Sequence, residues 1–128
     1  MHVLKKETAP RYQRPEGILS YLLASPRTSN AEHLTTTLAV IQPGGEQRIH
    51  RHRPEQVYFI IEGTGLMTVG GETQPVGPGD CVFIPSGQPH GLKNDGNGTL
   101  RYFSAAASAY DPGHLEKTWA LKSEAEVT

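Results

Sequence analysis

The chain has 128 residues and a mass of 14.0 kDa, below the length of one average domain, so a single domain is expected. Its 14 Gly and 10 Pro make up about 19% of the residues against roughly 12% in average usage, an excess that argues against a helical bundle. With 12 Lys and Arg against 13 Asp and Glu the net charge is −1, so nothing points to a broad nucleic-acid-binding or membrane surface.

Residues 1–17 are polar and basic, carry Pro10, Pro15 and Gly17, and read as an arm before the first strand. Ile18–Ala24 reads as a strand, Pro26–Glu32 as a loop, and the β-branched run Leu34–Gln42 as a second strand ended by Pro43-Gly44-Gly45. The spacing then becomes regular. Strands are expected at Gln47–His52, Gln56–Ile61, Leu66–Val69, Glu72–Val76, Cys81–Pro85, His90–Asn94 and Leu100–Ala106. Gly/Pro/Asn/Asp turns separate them, including the two-residue hairpin signal Gly70-Gly71. His114–Lys122 reads as a short helix with Leu115 and Trp119 on one face. Short strands with turns every 8–12 residues indicate an all-β sandwich or barrel. The single cysteine, Cys81, rules out an internal disulfide framework and fits a reducing, cytoplasmic setting. Charges close to Met1 and the lack of a long apolar run argue against a signal peptide and a membrane span.

Three of the six histidines fall where strand alternation predicts a shared face. His50 and His52 are two apart on one strand, so both imidazoles point to one side. Gln56 begins the next strand after a tight turn and alternation returns it to that side. His90 follows a Gly/Pro turn about forty residues later. Three imidazoles and an amide oxygen suit one divalent transition-metal ion (Mn, Fe, Ni, Zn or Co), with positions left open for water or substrate.

Gly44, His50, His52, Gln56 and Gly63 fit Gly-x5-His-x-His-x3-Glu-x6-Gly everywhere except the Glu. Gly79, Pro85, Gly87, His90 and Asn94 fit Gly-x5-Pro-x-Gly-x2-His-x3-Asn throughout. On these two motifs the chain resembles the small single-domain cupins, the conserved-barrel branch of the cupin superfamily. The resemblance implies a double-stranded β-helix, or jelly roll, over 18–106, with 1–17 as an arm and 107–128 as a tail. It also implies metal-ligand roles for His50, His52, Gln56 and His90, and a homodimer with an exchanged N-terminal strand; the neighbouring Glu55 is the alternative to Gln56, which motif count and strand alternation favour. Gln in place of Glu leaves a bound metal about one unit more positive, which favours a divalent ion, strengthens its Lewis acidity and attracts anions.

Alternation puts Arg48 on the side of His50 and His52, and Tyr58 and Ile60 on the side of Gln56. On the last strand Arg101 and Phe103 form one set, Tyr102 and Ser104 the other. Arg48 and Arg101 are candidate carboxylate or phosphate clamps, with a salt bridge at the barrel rim as the alternative. Tyr58 is a candidate acid–base hydroxyl, with wall packing as its alternative. Cys81 and Phe83 read as buried strand residues, Arg51 and Arg53 as outward-facing, and His2, His33 and His114 as solvated. The His-x-His-x3-Gln variant is similar to cupins that process unsaturated uronates, but Arg101 and Ala107 stand where those proteins carry a catalytic Asp and Arg. The expected function is a metal-dependent enzyme on a small anionic or oxygen-rich metabolite, of isomerase or lyase type. An Fe(II) dioxygenase and a non-catalytic small-molecule binding module are the alternatives.

Overall fold

The structure, a computed structural model, describes residues 1–107. The expected helix at His114–Lys122 and the solvated His114 lie outside them. Ten strands follow one another: β1 (Arg11–Arg14), β2 (Ile18–Leu22), β3 (Thr35–Ile41), β4 (Glu46–His50), β5 (Glu55–Glu62), β6 (Gly65–Val69), β7 (Glu72–Val76), β8 (Cys81–Ile84), β9 (His90–Lys93) and β10 (Leu100–Ala107). They form two antiparallel sheets, ordered β1-β2-β3-β10-β5-β8 and β4-β9-β6-β7. This is the jelly-roll barrel that the resemblance implied, and an all-β barrel of the kind expected from the strand spacing.

Several segments differ from the reading of the sequence: the strand expected over Gln47–His52 ends at His50, so His52 lies outside it. Within 1–17, Arg11–Arg14 pairs with β2 from Arg11↔Tyr21 to Arg14↔Ile18 and becomes the sheet's outermost strand. The expected loop at Pro26–Glu32 contains a helical turn, α1 (Pro26–Ser29), capped by Ser25, whose Oγ accepts from the Thr28 amide at 3.2 Å.

Alternation sorts the sheet residues by face. Ile18, Ala39, Ile41, Tyr58, Ile60 and Leu92 are almost fully buried between the sheets. Their opposite-parity neighbours Phe59 and Ile61 are 43% and 46% exposed. The burial expected for Cys81 and Phe83 is corrected here: both are exposed. β8 pairs with β5 as Val82↔Tyr58 and Ile84↔Gln56, so Val82 and Ile84 take the inner face and Cys81 and Phe83 the outer one. Among the described residues β8 is also an edge strand of its sheet.

The motif residues Gly63 and Asn94 hold the barrel end together. Gly63 has φ +84°, and a Cβ there would strike the Thr99 carbonyl oxygen. The Asn94 amide is 1% exposed, donates to the carbonyls of Ile41 and Gly98 at 2.9 Å each, and accepts from the Gly96 amide at 3.0 Å. It spends its hydrogen bonds on the turn before β10 and does not face the histidines.

Candidate metal centre

His50 ends β4 and His90 begins β9, and the two are directly opposed in the β4–β9 ladder. His52 lies just beyond β4, in the turn that leads to β5. The three rings crowd together, with centroids 4.3 Å apart for His50–His90, 4.8 Å for His52–His90 and 5.4 Å for His50–His52. One ring nitrogen from each lies within 4.8 Å of the others, so the three histidines are positioned to bind a metal ion.

Each ring is held from behind by a main-chain carbonyl. Nδ1 of His50 meets the Arg48 oxygen at 3.0 Å, Nδ1 of His52 the Pro54 oxygen at 3.1 Å, and Nδ1 of His90 the Gln88 oxygen at 2.9 Å. A carbonyl oxygen only accepts, so these contacts assign the ring proton to Nδ1 and leave Nε2 as the lone-pair nitrogen. This is the arrangement by which metal-ligating histidines are oriented. His90 is 0% exposed, and its Nε2 is buried without a hydrogen-bond partner among the described residues. A buried, unpaired lone pair is costly, and a cation satisfies it.

Gln56, 8% exposed at the start of β5, lies beside the three histidines. Its Nε2 donates to Ser104 Oγ at 3.0 Å, and Ser104 meets Thr37 Oγ1 at 3.0 Å. That leaves Oε1 facing the histidines, 2.9 Å from His52 Nε2. With the His52 proton on Nδ1, two acceptors face one another, an arrangement that a cation between them reconciles. The residues present therefore fit a metal ion. The neighbouring Glu55 is exposed. Ser104 and Thr37, which fix the amide, were given no role by the sequence, since their contact joins strands 67 residues apart.

The site is lined by neutral groups. Burial is the main cause that lowers the pKa of His90 to about 4, and crowding by His50 and His52 adds to it. Burial also lowers that of His50. Tyr58 stacks on Tyr102 with centroids 4.2 Å apart and lies edge-on to His90 at 6.0 Å. Burial raises the Tyr102 phenol to about 12, against the lowering effect of its hydrogen bond with Tyr58.

Arg48 and Arg101 do not join this cluster. Arg48 Nη1 pairs with Glu16 Oε2 at 2.9 Å and is exposed, and Arg101 Nε pairs with Glu62 Oε1 at 2.8 Å. Both are the rim salt bridges weighed as the alternative. For Arg48 the reason is a bulge. The β4–β9 ladder pairs Gln47 with Leu92 and His50 with His90, three residues against two, so Gln47 and His50 share the inner face and Arg48 is turned outward. Arg51 and Arg53 are exposed, as are His2 and His33.

A family model described as a cupin domain matches residues 37–106. The chain belongs to the cupin family. An uncharacterized protein of Methanocaldococcus jannaschii is 30% identical over 100 residues, which cover 77% of this cupin and 80% of that protein. The oxalate-binding protein of Thermotoga maritima is 29% identical over 87 residues, 67% of this chain and 71% of that one. A gentisate 1,2-dioxygenase of Ralstonia is 39% identical over 61 residues, 47% of this chain but 17% of the dioxygenase. The fold matches a crystal structure of an RmlC-like cupin from Shewanella frigidimarina with a TM-score of 0.75 at 21% identity, covering 87% of this chain and 94% of that one. Among the described residues no helix is long and apolar enough to cross a membrane.

Proposed function

We propose that this cupin is a metal-dependent enzyme acting on a small anionic or oxygen-rich metabolite, in an isomerase- or lyase-type reaction. The observation that carries the proposal is the buried, unpartnered Nε2 of His90 beside two further imidazoles whose Nδ1 atoms are tied to carbonyls. His50, His52, His90 and the Gln56 amide oxygen are the metal ligands in this reading. A bound divalent ion would supply Lewis acidity toward a carbonyl or hydroxyl oxygen. The four donors are neutral, so the full dication charge faces the substrate and favours an anion. Ser104 and Thr37 hold the Gln56 amide in the donor orientation. Tyr58 is the candidate acid–base hydroxyl, and its hydrogen bond to Tyr102, a phenol that stays protonated in the neutral range, keeps a proton beside His90.

Two other readings each have an observation in their favour. Local likeness to a gentisate dioxygenase supports Fe(II) oxygen chemistry. Likeness to an oxalate-binding protein supports a module that holds its ligand without converting it. The proposal includes a homodimer, supported by Phe59, Ile61 and Phe83 exposed on the outer sheet face. It also includes a cytoplasmic setting, supported by the lone exposed thiol of Cys81.

The test is metal analysis of the purified protein and of a His50→Ala/His90→Ala variant, followed by assays of the loaded protein. Stoichiometric metal lost in the variant is expected, and unchanged metal content would sink every metal reading. Oxygen uptake by iron-loaded protein with a screened acid would favour the dioxygenase. Tight binding without turnover would favour the binding module.

A further inference from the structure

Arg14 closes β1, and its register partner Ile18 is buried on the inner sheet face. Residues directly opposed in an antiparallel ladder share a face, so Arg14 also points inward. Its Nη2 donates to Gln47 Oε1 at 2.7 Å, and Gln47 shares the inner face of β4 with His50. The guanidinium thus links β1 and β4, outer strands of the two sheets, through Gln47, whose Nε2 is 3.4 Å from His50 Nδ1.

The carboxylate that feels this cation is Glu16, whose pKa is lowered chiefly by its hydrogen bond with Arg48, with the charge of Arg14 contributing. Among the described residues Arg14 makes no ion pair, and its Nε is buried without a hydrogen-bond partner. Glu16, two residues on, is held by Arg48 at 2.9 Å. Two neutral groups touch it: the Gln47 amide, and the Tyr12 ring with its centroid 5.6 Å from the guanidinium carbon. The positive charge of Arg14 is felt at both His50 and Tyr102, and so on two walls of the same interior. A half-buried guanidinium with an unused N–H and no ion pair is costly, unless an anion occupies the space beside it. Its planar fork matches a carboxylate better than an ammonium would.

We propose that Arg14 is the anion-recognising residue of this site, receiving the carboxylate of a small acid whose remaining oxygens face the three histidines. This rests on the reading of the histidine cluster as a ligand-binding centre, but not on the reaction performed there. It assigns to the N-terminal strand the role for which Arg48 and Arg101 were candidates; those two are already neutralised by Glu16 and Glu62.

The test uses glycolate and its neutral analogue glycolamide, which are alike in shape and differ in charge. Their binding to zinc-loaded and metal-free protein is measured by equilibrium dialysis. Wild-type loaded protein is expected to prefer glycolate by at least about tenfold. Two variants remove the free cation by different routes: Arg14→Gln deletes it, and Gln47→Glu sets a carboxylate against it. In the metal-free protein, where no metal charge contributes, both are expected to lose most of the preference, and in the loaded protein to lower it severalfold, while glycolamide affinity, zinc stoichiometry and melting temperature hold. A purely structural Arg14 would change melting temperature or both probes alike. A preference that is absent in the wild type, or that survives undiminished in either folded variant, would overturn the proposal. Failure of the wild type to take up zinc would instead remove the metal reading, and the glycolate preference of the metal-free protein would still decide the role of Arg14.

Discussion

At the scale of single residues, the departure at Gln56 has the clearest consequence. The amide places a neutral oxygen 2.9 Å from His52 Nε2. Gln56→Glu would put a full negative charge in the same place, and at a few ångströms one charge is worth a few kcal/mol even when well screened, roughly tenfold or more in metal affinity. Chelator competition should therefore show tighter divalent-metal binding in Gln56→Glu, and unchanged affinity would exclude Gln56 as a ligand. The metal-free protein also carries a pH signature. Burial places His90 at about 4 in the folded state, below its unconstrained 6.5, so the unfolded chain takes the proton first. Stability should be complete above about pH 6.5 and fall as the pH drops toward 4, by at most about 1.4 kcal/mol per pH unit from this residue. Melting curves in chelator should show that slope, and His90→Gln should flatten it. The histidines themselves were legible in the sequence through the two motifs, although strand spacing alone does not place His52, which lies in the turn beyond β4.

At the scale of elements, alternation located most strands but not the departures from it. The bulge in β4 depends on which residues of β9 lie opposite, and no property of the local stretch Gln47–His50 announces it. That single extra residue turned Arg48 outward and Gln47 inward. β8 was misread for a similar reason. Its apolar composition suggested burial, whereas its edge position and its register against β5 expose Cys81 and Phe83. The turns were more legible, since Gly at a positive φ leaves a mark in the sequence. Two of them separate backbone strain from steric exclusion. Gly79 has φ +92° with nothing within 4 Å of an added Cβ, so Gly79→Ala should cost about 1–2 kcal/mol. Gly63 has φ +84° and abuts Thr99 and Leu100, so Gly63→Ala should cost roughly 1–3 kcal/mol more. Urea unfolding measures both, and equal losses would contradict the packing described at Gly63.

At the scale of the whole molecule, the two sheets bring together residues that no window of sequence joins. The histidines belong to the four-stranded sheet and its exit turn, Gln56 to the six-stranded sheet, and the groups that orient Gln56 come from β3 and β10. The same closure leaves three large apolar side chains, Phe59, Ile61 and Phe83, on the outside. If a second copy covers them, sedimentation equilibrium should give twice the 14.0 kDa chain mass, and Phe59→Asp should shift the protein toward the monomer with its metal content unchanged. A monomeric wild type would remove the dimer from the proposal.

The sequence by itself determined the barrel, its turns and the grouping of His50, His52 and His90. Motif spacing and the glycine positions are local properties, written within a few residues of one another. Only the tertiary structure decided that Arg48 and Arg101 are spent at the rim, that Cys81 and Phe83 face outward, and that part of the supposed arm is a strand carrying Arg14 to Gln47. Those outcomes depend on ladder register, bulges and the capture of one charge by another. Each is an interaction between segments far apart in the chain, and composition and spacing do not encode which distant partner a side chain will meet.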